Sequence, residues 1–190
     1  MKLSGRRLLE VSTMRARVVY ESMFGNTQAI AQAVADGLAE TVSVDFEEVG
    51  SAATDVAADV ALLVVGGPTH AFGMSRERTR ESAAVQASGD VVSAGQGLRE
   101  WLGYVTGGSR AIAAAAFDTR IDKPRMPGSA AHGAEKRLRR LGFHVLVPAA
   151  SFYVTDTSGP LVVGERERAR RWGELLGSTM ATEEEHRPTH

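Results

Sequence analysis

Residues 22–27, Ser-Met-Phe-Gly-Asn-Thr, put two hydroxyls, an amide and a glycine between the apolar run 17–21 and an amphipathic stretch from Asn26 onward. A helix beginning here would leave backbone N–H groups unpaired at its N-terminus, where the macrodipole is positive, and so would form an anion site. Gly25 would let the backbone approach the anion, with Ser22, Asn26 and Thr27 adding side-chain donors. No lysine or arginine lies in the loop, so neither the Gly-Lys-Ser/Thr triphosphate pattern nor the three-glycine dinucleotide fingerprint is present. A terminal phosphate monoester fits neutral donors better. Ordinary helix capping by Asn26 or Thr27 accounts for the same residue types.

Two further loops carry chemistry. After the apolar run 60–67 comes Gly66-Gly67-Pro68-Thr69-His70-Ala71-Phe72-Gly73, where the glycines permit a sharp exit, Pro68 stiffens the turn, and a hydroxyl, an imidazole and a ring follow. After 110–117 comes Asp118-Thr119-Arg120, with Lys123 and Arg125 close behind. A flat heteroaromatic ligand packs naturally against the second loop, and the third offers polar contacts and cations. Phe72 covering the core with His70 pointing to water accounts for the second loop alone, and a solvated turn for any one residue of the third. Three loops converging on one crevice are harder to dismiss than any single one.

The elements that must position these loops follow from periodicity. Strands are expected at 17–21, 41–49, 60–67, 110–117 and 144–154, alternating with helices at 26–40, 75–87, 129–141 and 165–180, a short helix within 51–59 and another piece near 97–105. The continuous apolar run at 60–67 suits a central strand buried on both faces. Strand–helix alternation implies an open, doubly wound α/β domain with a five-stranded parallel sheet, whose ligands sit beyond the carboxyl ends of the strands. The three loops lie at those ends.

Composition narrows the function. The 190 residues have a formal charge of -1 and suit one domain, without the basic excess of a nucleic-acid binder. With no cysteine, thiolate metal sites and thiol redox chemistry are excluded, so redox work needs a bound cofactor. No metal-ligand spacing is present, no apolar run is long enough to span a membrane, and the expected setting is the cytoplasm. Residues 1–13 read as a disordered extension before Met14, 14–180 as the domain and 181–190 as a disordered tail. Trp101 and Trp172 read as core packing, and the charged runs 76–80 and 135–140 as solvated helix faces.

From about Arg17 to Met180 the chain resembles the flavodoxin-like family, in a short-chain, actinobacterial-type form. The family's phosphate loop, Thr/Ser-x-Thr-Gly-Asn-Thr, is matched by Ser22, Gly25, Asn26 and Thr27, with Phe24 in place of the middle threonine. The turn within 152–165 is too short for the long-chain insertion. The resemblance implies strand order 2-1-3-4-5 and FMN held by Ser22, Met23, Phe24, Gly25, Asn26 and Thr27 at the phosphate. Pro68, Thr69, His70, Ala71, Phe72 and Gly73, and Asp118, Thr119 and Arg120, would flank the ring. It further implies electron transfer with a redox partner protein, or FMN-dependent reduction of a small acceptor such as a quinone. The sequence names no catalytic residue. Phe72 replaces the usual tryptophan–tyrosine sandwich, and Arg76, Arg78, Arg80, Arg120, Lys123 and Arg125 stand where carboxylates are usual, which would raise the flavin's reduction potential. The competing reading is a non-redox interaction or sensing module that has kept the fold and lost the cofactor. A receiver domain is disfavoured because the third strand ends without a phosphorylatable aspartate.

Overall fold

The computed structural model describes residues 15–87, 89–123 and 127–186. The expected extension at 1–13, Arg125 and His190 lie outside the described residues. Strand β1 (Arg15–Tyr20) leads to helix α1 (Asn26–Leu38), and β2 (Ser43–Glu48) to β3 (Val60–His70), which turns back into the short β4 (Gly73–Met74). Then come α2 (Glu77–Gln86), α3 (Leu98–Tyr104), β5 (Ala113–Ile121), α4 (Ala130–Arg140), β6 (His144–Val145), β7 (Ala150–Val154) and α5 (Glu165–Glu185).

The sheet runs β2-β1-β3-β5, with β6 and β7 both pairing in parallel along β5 as the two halves of one interrupted edge strand. This is the order 2-1-3-4-5 of a doubly wound domain. Alternation along the strands feeds two cores. Val18, Leu62, Val64, Ala115 and Phe117 meet Ile30, Val34 and Leu38 of α1 and Leu176 of α5. Val19, Leu63, Val65, Ala114 and Ala116 meet Trp101 and Leu102 of α3 and Leu138 of α4. Burial on both faces is why β3 reads as an unbroken apolar run.

Several elements depart from the sequence reading. β3 does not end at Gly67 but continues through Pro68 and Thr69 to His70, and the chain reverses at Ala71-Phe72. Gly66 and Gly67 are therefore not exit glycines, and neither has a positive φ. A methyl on Gly66 would land inside the Phe117 ring, so this glycine makes room for the core. β5 likewise runs on to Ile121, placing Asp118, Thr119 and Arg120 inside a strand. The fifth strand breaks around Pro148, which has no N–H to give; the next free donor, Ala149 N–H, goes 2.8 Å to Glu135 Oε2 instead.

Segment 51–59 forms turns, not a helix, because its carbonyls serve other partners. Ala53 O and Asp55 O accept from the Arg17 guanidinium, and Ala52 O accepts from Trp101 Nε1. α5 extends to Glu185, beyond the expected end at Met180. Trp101 is fully buried, while Trp172 is half-buried, edge-on to Phe117 and Phe152.

Candidate functional site

The loop 22–27 is built around Ser22. β1 delivers Glu21 and Ser22 into the interior, and Gly25 stands at the N-cap of α1 with φ 85°, a left-handed conformation that glycine adopts without strain. Nothing crowds the position a Cβ would take at Gly25, so the backbone angle is its sole evident requirement. Ser22 Oγ accepts from Gly25 N–H at 3.1 Å and from Gln28 N–H at 3.2 Å, turning the loop over its own hydroxyl. The Ser22 side chain therefore latches the loop from beneath. Asn26 donates from Nδ2 to Ser158 O at 2.9 Å, and Thr27 Oγ1 lies 2.7 Å from Thr119 Oγ1. The first-turn N–H groups of Asn26 and Thr27 have no partner within the helix, the geometry that suits an anion.

The second wall is the end of β3 and its hairpin. Thr69 pairs with Met74 and His70 with Gly73, leaving Ala71 (φ 43°) and Phe72 (φ 72°) as a two-residue turn in left-handed conformation. For residues with side chains this costs on the order of 1 kcal/mol each and persists where the surroundings impose it. Gly128 packs so closely against this turn that any Cβ there would collide with the Phe72 carbonyl. Phe72 stands at the cleft mouth, 58% exposed. Burial lowers the His70 pKa below the ordinary histidine value, and the charge of Arg80 adds to this, against a hydrogen bond with the Thr79 backbone.

The third wall comes from β5 and β7. Thr119, Arg120 and Ile121 line the cleft with Val154 and Thr157. Asp118 points the other way. Fully buried, its Oδ2 accepts from Thr69 Oγ1 (2.8 Å), Ser129 Oγ (2.6 Å) and Ala131 N–H (3.0 Å), pinning the N-terminus of α4. These three donors hold the carboxylate between β3 and the start of α4, and Asp118 is not among the residues that line the cleft.

These walls enclose one cleft of about 380 Å³ at the carboxyl edge of the sheet. Of the residues expected there, Met23, Phe24, Asn26, Thr27, Pro68 through Phe72, Thr119 and Arg120 line it; Ser22, Gly25, Gly73 and Asp118 do not. Sequence reasoning missed the face of α2 that closes the cleft, Thr79, Ser82, Ala83 and Gln86. Their i, i+3, i+4, i+7 spacing of small and polar residues was the available signal.

The expected rim of cations is thinner than the sequence implies. Arg80 is buried, donating to Ser75 Oγ and to Glu100 Oε2 at 3.0 Å. Arg120 lines the cleft and donates to Gly128 O; Arg76 lies outside it, beside the hairpin. Close to the buried arginine, Glu21 is itself fully buried, and Oε2 accepts Leu98 N–H at 2.7 Å. Burial raises its pKa, opposed by the Ser75 and Leu98 hydrogen bonds and the charge of Arg80. Among the described residues there is no metal-binding cluster and no helix long and apolar enough to cross a membrane.

Comparison with known proteins agrees with this architecture. The sequence model of the flavodoxin family matches residues 18–161. Among solved structures, a flavodoxin from the domain Archaea superposes with TM-score 0.58 at 20% identity, covering 88% of this chain and 99% of its own. Oxidised flavodoxin 1 from Bacillus cereus gives 0.62 at 14%, covering 88% and 97%, and the flavodoxin of Streptococcus pneumonia TIGR4 gives 0.62 at 15%, covering 86% and 98%. Identities this low establish the fold alone. No curated protein matches in sequence. With the family model spanning most of the domain, from β1 to the turn after β7, the chain belongs to the flavodoxin family.

Proposed function

We propose that the chain binds FMN in this cleft and uses it for electron transfer to a partner protein or for reduction of a small acceptor such as a quinone. The observation that carries the reading is the meeting, in one cleft, of apolar walls with a helix N-terminus whose loop contains no cation. That donor set suits a phosphate monoester on a flat, largely apolar ring system. FMN, when bound, supplies the one- and two-electron chemistry.

The chain's own residues supply position and environment. The Asn26 and Thr27 N–H groups receive the phosphate, while Ser22 holds the loop in shape. Met23, Pro68, Ala71, Ile121 and Val154 exclude water from the ring, with Phe72 at the mouth. The Thr27–Thr119 hydrogen bond locks the phosphate end to the ring end. His70 adds a polar edge, and its burial favours the uncharged ring.

The test is direct: purify the protein, release any chromophore by heat and quantify it. FMN near one per chain is expected. A colourless protein that takes up no added FMN would overturn the proposal and leave a non-redox module with this fold. Phe72, exposed at the cleft mouth, is the feature that favours that second reading.

A further inference from the structure

Residues 89–97 join α2 to α3 and carry no motif. In the fold they lie along the loop 22–27. Ser93 N–H donates to Ser22 O at 2.7 Å, Ser22 N–H donates to Ser93 Oγ at 3.0 Å, and Val92 N–H donates to Met23 O at 3.1 Å. Ser93 is 1% exposed, and its hydroxyl donates to Glu48 Oε1 at 2.6 Å. Glu48, the last residue of β2, is anchored in turn through Oε2, which accepts Gly50 N–H at 2.8 Å.

The hydrogen bonds therefore form one chain: Glu48 to Ser93, Ser93 to the backbone of Ser22, and Ser22 Oγ to the N–H groups of Gly25 and Gln28. A hydroxyl that donates to a carboxylate becomes a stronger acceptor, so Glu48 tightens the grip of Ser93 on Ser22. One serine holds both backbone groups of the residue on which the loop is folded. Neither Ser93 nor Glu48 lines the cleft, and the side chain of Ser93 reaches the loop through the backbone of Ser22.

We propose that Ser93, backed by Glu48, is a positioning residue for the phosphate loop: it fixes the Asn26 and Thr27 N–H groups in their anion-binding arrangement and so makes the site favour phosphorylated flavin over the unphosphorylated ring. The inference rests on the FMN reading above. It locates phosphate selectivity outside the loop, at a residue 71 positions away in sequence from Ser22.

The experiment titrates the full chain with FMN and with riboflavin, followed by quenching of flavin fluorescence, for the parent, Ser93→Ala and Ser93→Cys. The cysteine variant keeps the volume and loses the strong hydrogen bonds. Loss of a hydrogen bond to a charged group predicts FMN affinity about tenfold weaker or more in both variants, with riboflavin affinity changed less than about twofold. Equal losses for the two ligands would reveal general loosening and overturn the proposal, as would unchanged FMN binding. If the serine variants fail to fold, Glu48→Gln, which keeps an acceptor for Ser93, must show the same split at smaller size, or the proposal falls. A parent that binds riboflavin as tightly as FMN overturns the phosphate grip alone; a parent that binds neither overturns the functional reading as well.

Discussion

Replacing Gly66 with alanine separates two accounts of the glycine pair at the end of the apolar run. If Gly66 were an exit glycine needing unusual backbone angles, its cost would come from strain; yet its φ is not positive, and alanine's backbone would be accommodated. The structure instead puts the added methyl into the ring of Phe117, which is fully buried and edge-on to Phe152 and Trp172. Neither the ring nor the strand can move far, because Phe117 is itself on β5, paired in register with Gly66. Overpacking of this kind costs about 2–3 kcal/mol. For a domain of this size each kcal/mol lowers Tm by about 2–4 °C, so a drop of about 4–12 °C is expected in a thermal melt of the apoprotein. Adding Phe117→Leu opens the space, and the double variant should recover at least about 1 kcal/mol relative to the sum of the single changes, measured as a coupling in urea denaturation. A Gly66→Ala protein within about 0.5 kcal/mol of the parent, or strictly additive variants, would refute the packing account.

Two other predictions follow from charges near the site. Because burial raises the Glu21 pKa in the folded state, its contribution to stability is fully present below the ordinary glutamate value and is lost as pH rises through the folded-state value. Glu21→Gln should therefore be more stable relative to the parent at pH 8 than at pH 4, and a difference independent of pH would contradict the assignment. If FMN binds in the cleft as proposed, Arg120 at its wall would stabilise added negative charge on the flavin. Arg120→Glu should lower the reduction potential of bound FMN in a potentiometric titration, and an unchanged potential would remove Arg120 from the electrostatics of the site.

How far the site could be read from the sequence differs wall by wall. The first loop was legible because strand, glycine turn and amphipathic helix occupy consecutive residues, and Ile30, Val34 and Leu38 mark the buried face by spacing alone. The hairpin was legible as a location but not as a shape. Gly66, Gly67 and Pro68 are the residues that usually end a strand, while the reversal falls on Ala71 and Phe72, two residues that take left-handed angles where β4 pairs back and Gly128 packs against them. Asp118 was legible as a polar residue at the sheet edge but not as the anchor of α4, because its partners Thr69, Ser129 and Ala131 meet it only in the folded chain.

What the sequence by itself determined is the part written in short-range pattern: the alternation of strands and helices, burial of the central strands on both faces, a cation-free loop at a helix N-terminus, and the exclusion of thiol chemistry. What only the tertiary structure decided is which polar groups remain for a ligand. Ser22 is held by Ser93, Thr27 by Thr119 and Asn26 by Ser158, across separations of 71, 92 and 132 residues. A donor's availability depends on every acceptor the fold brings near it, and no local pattern records that, because the partners meet only when distant strands take their places in one sheet.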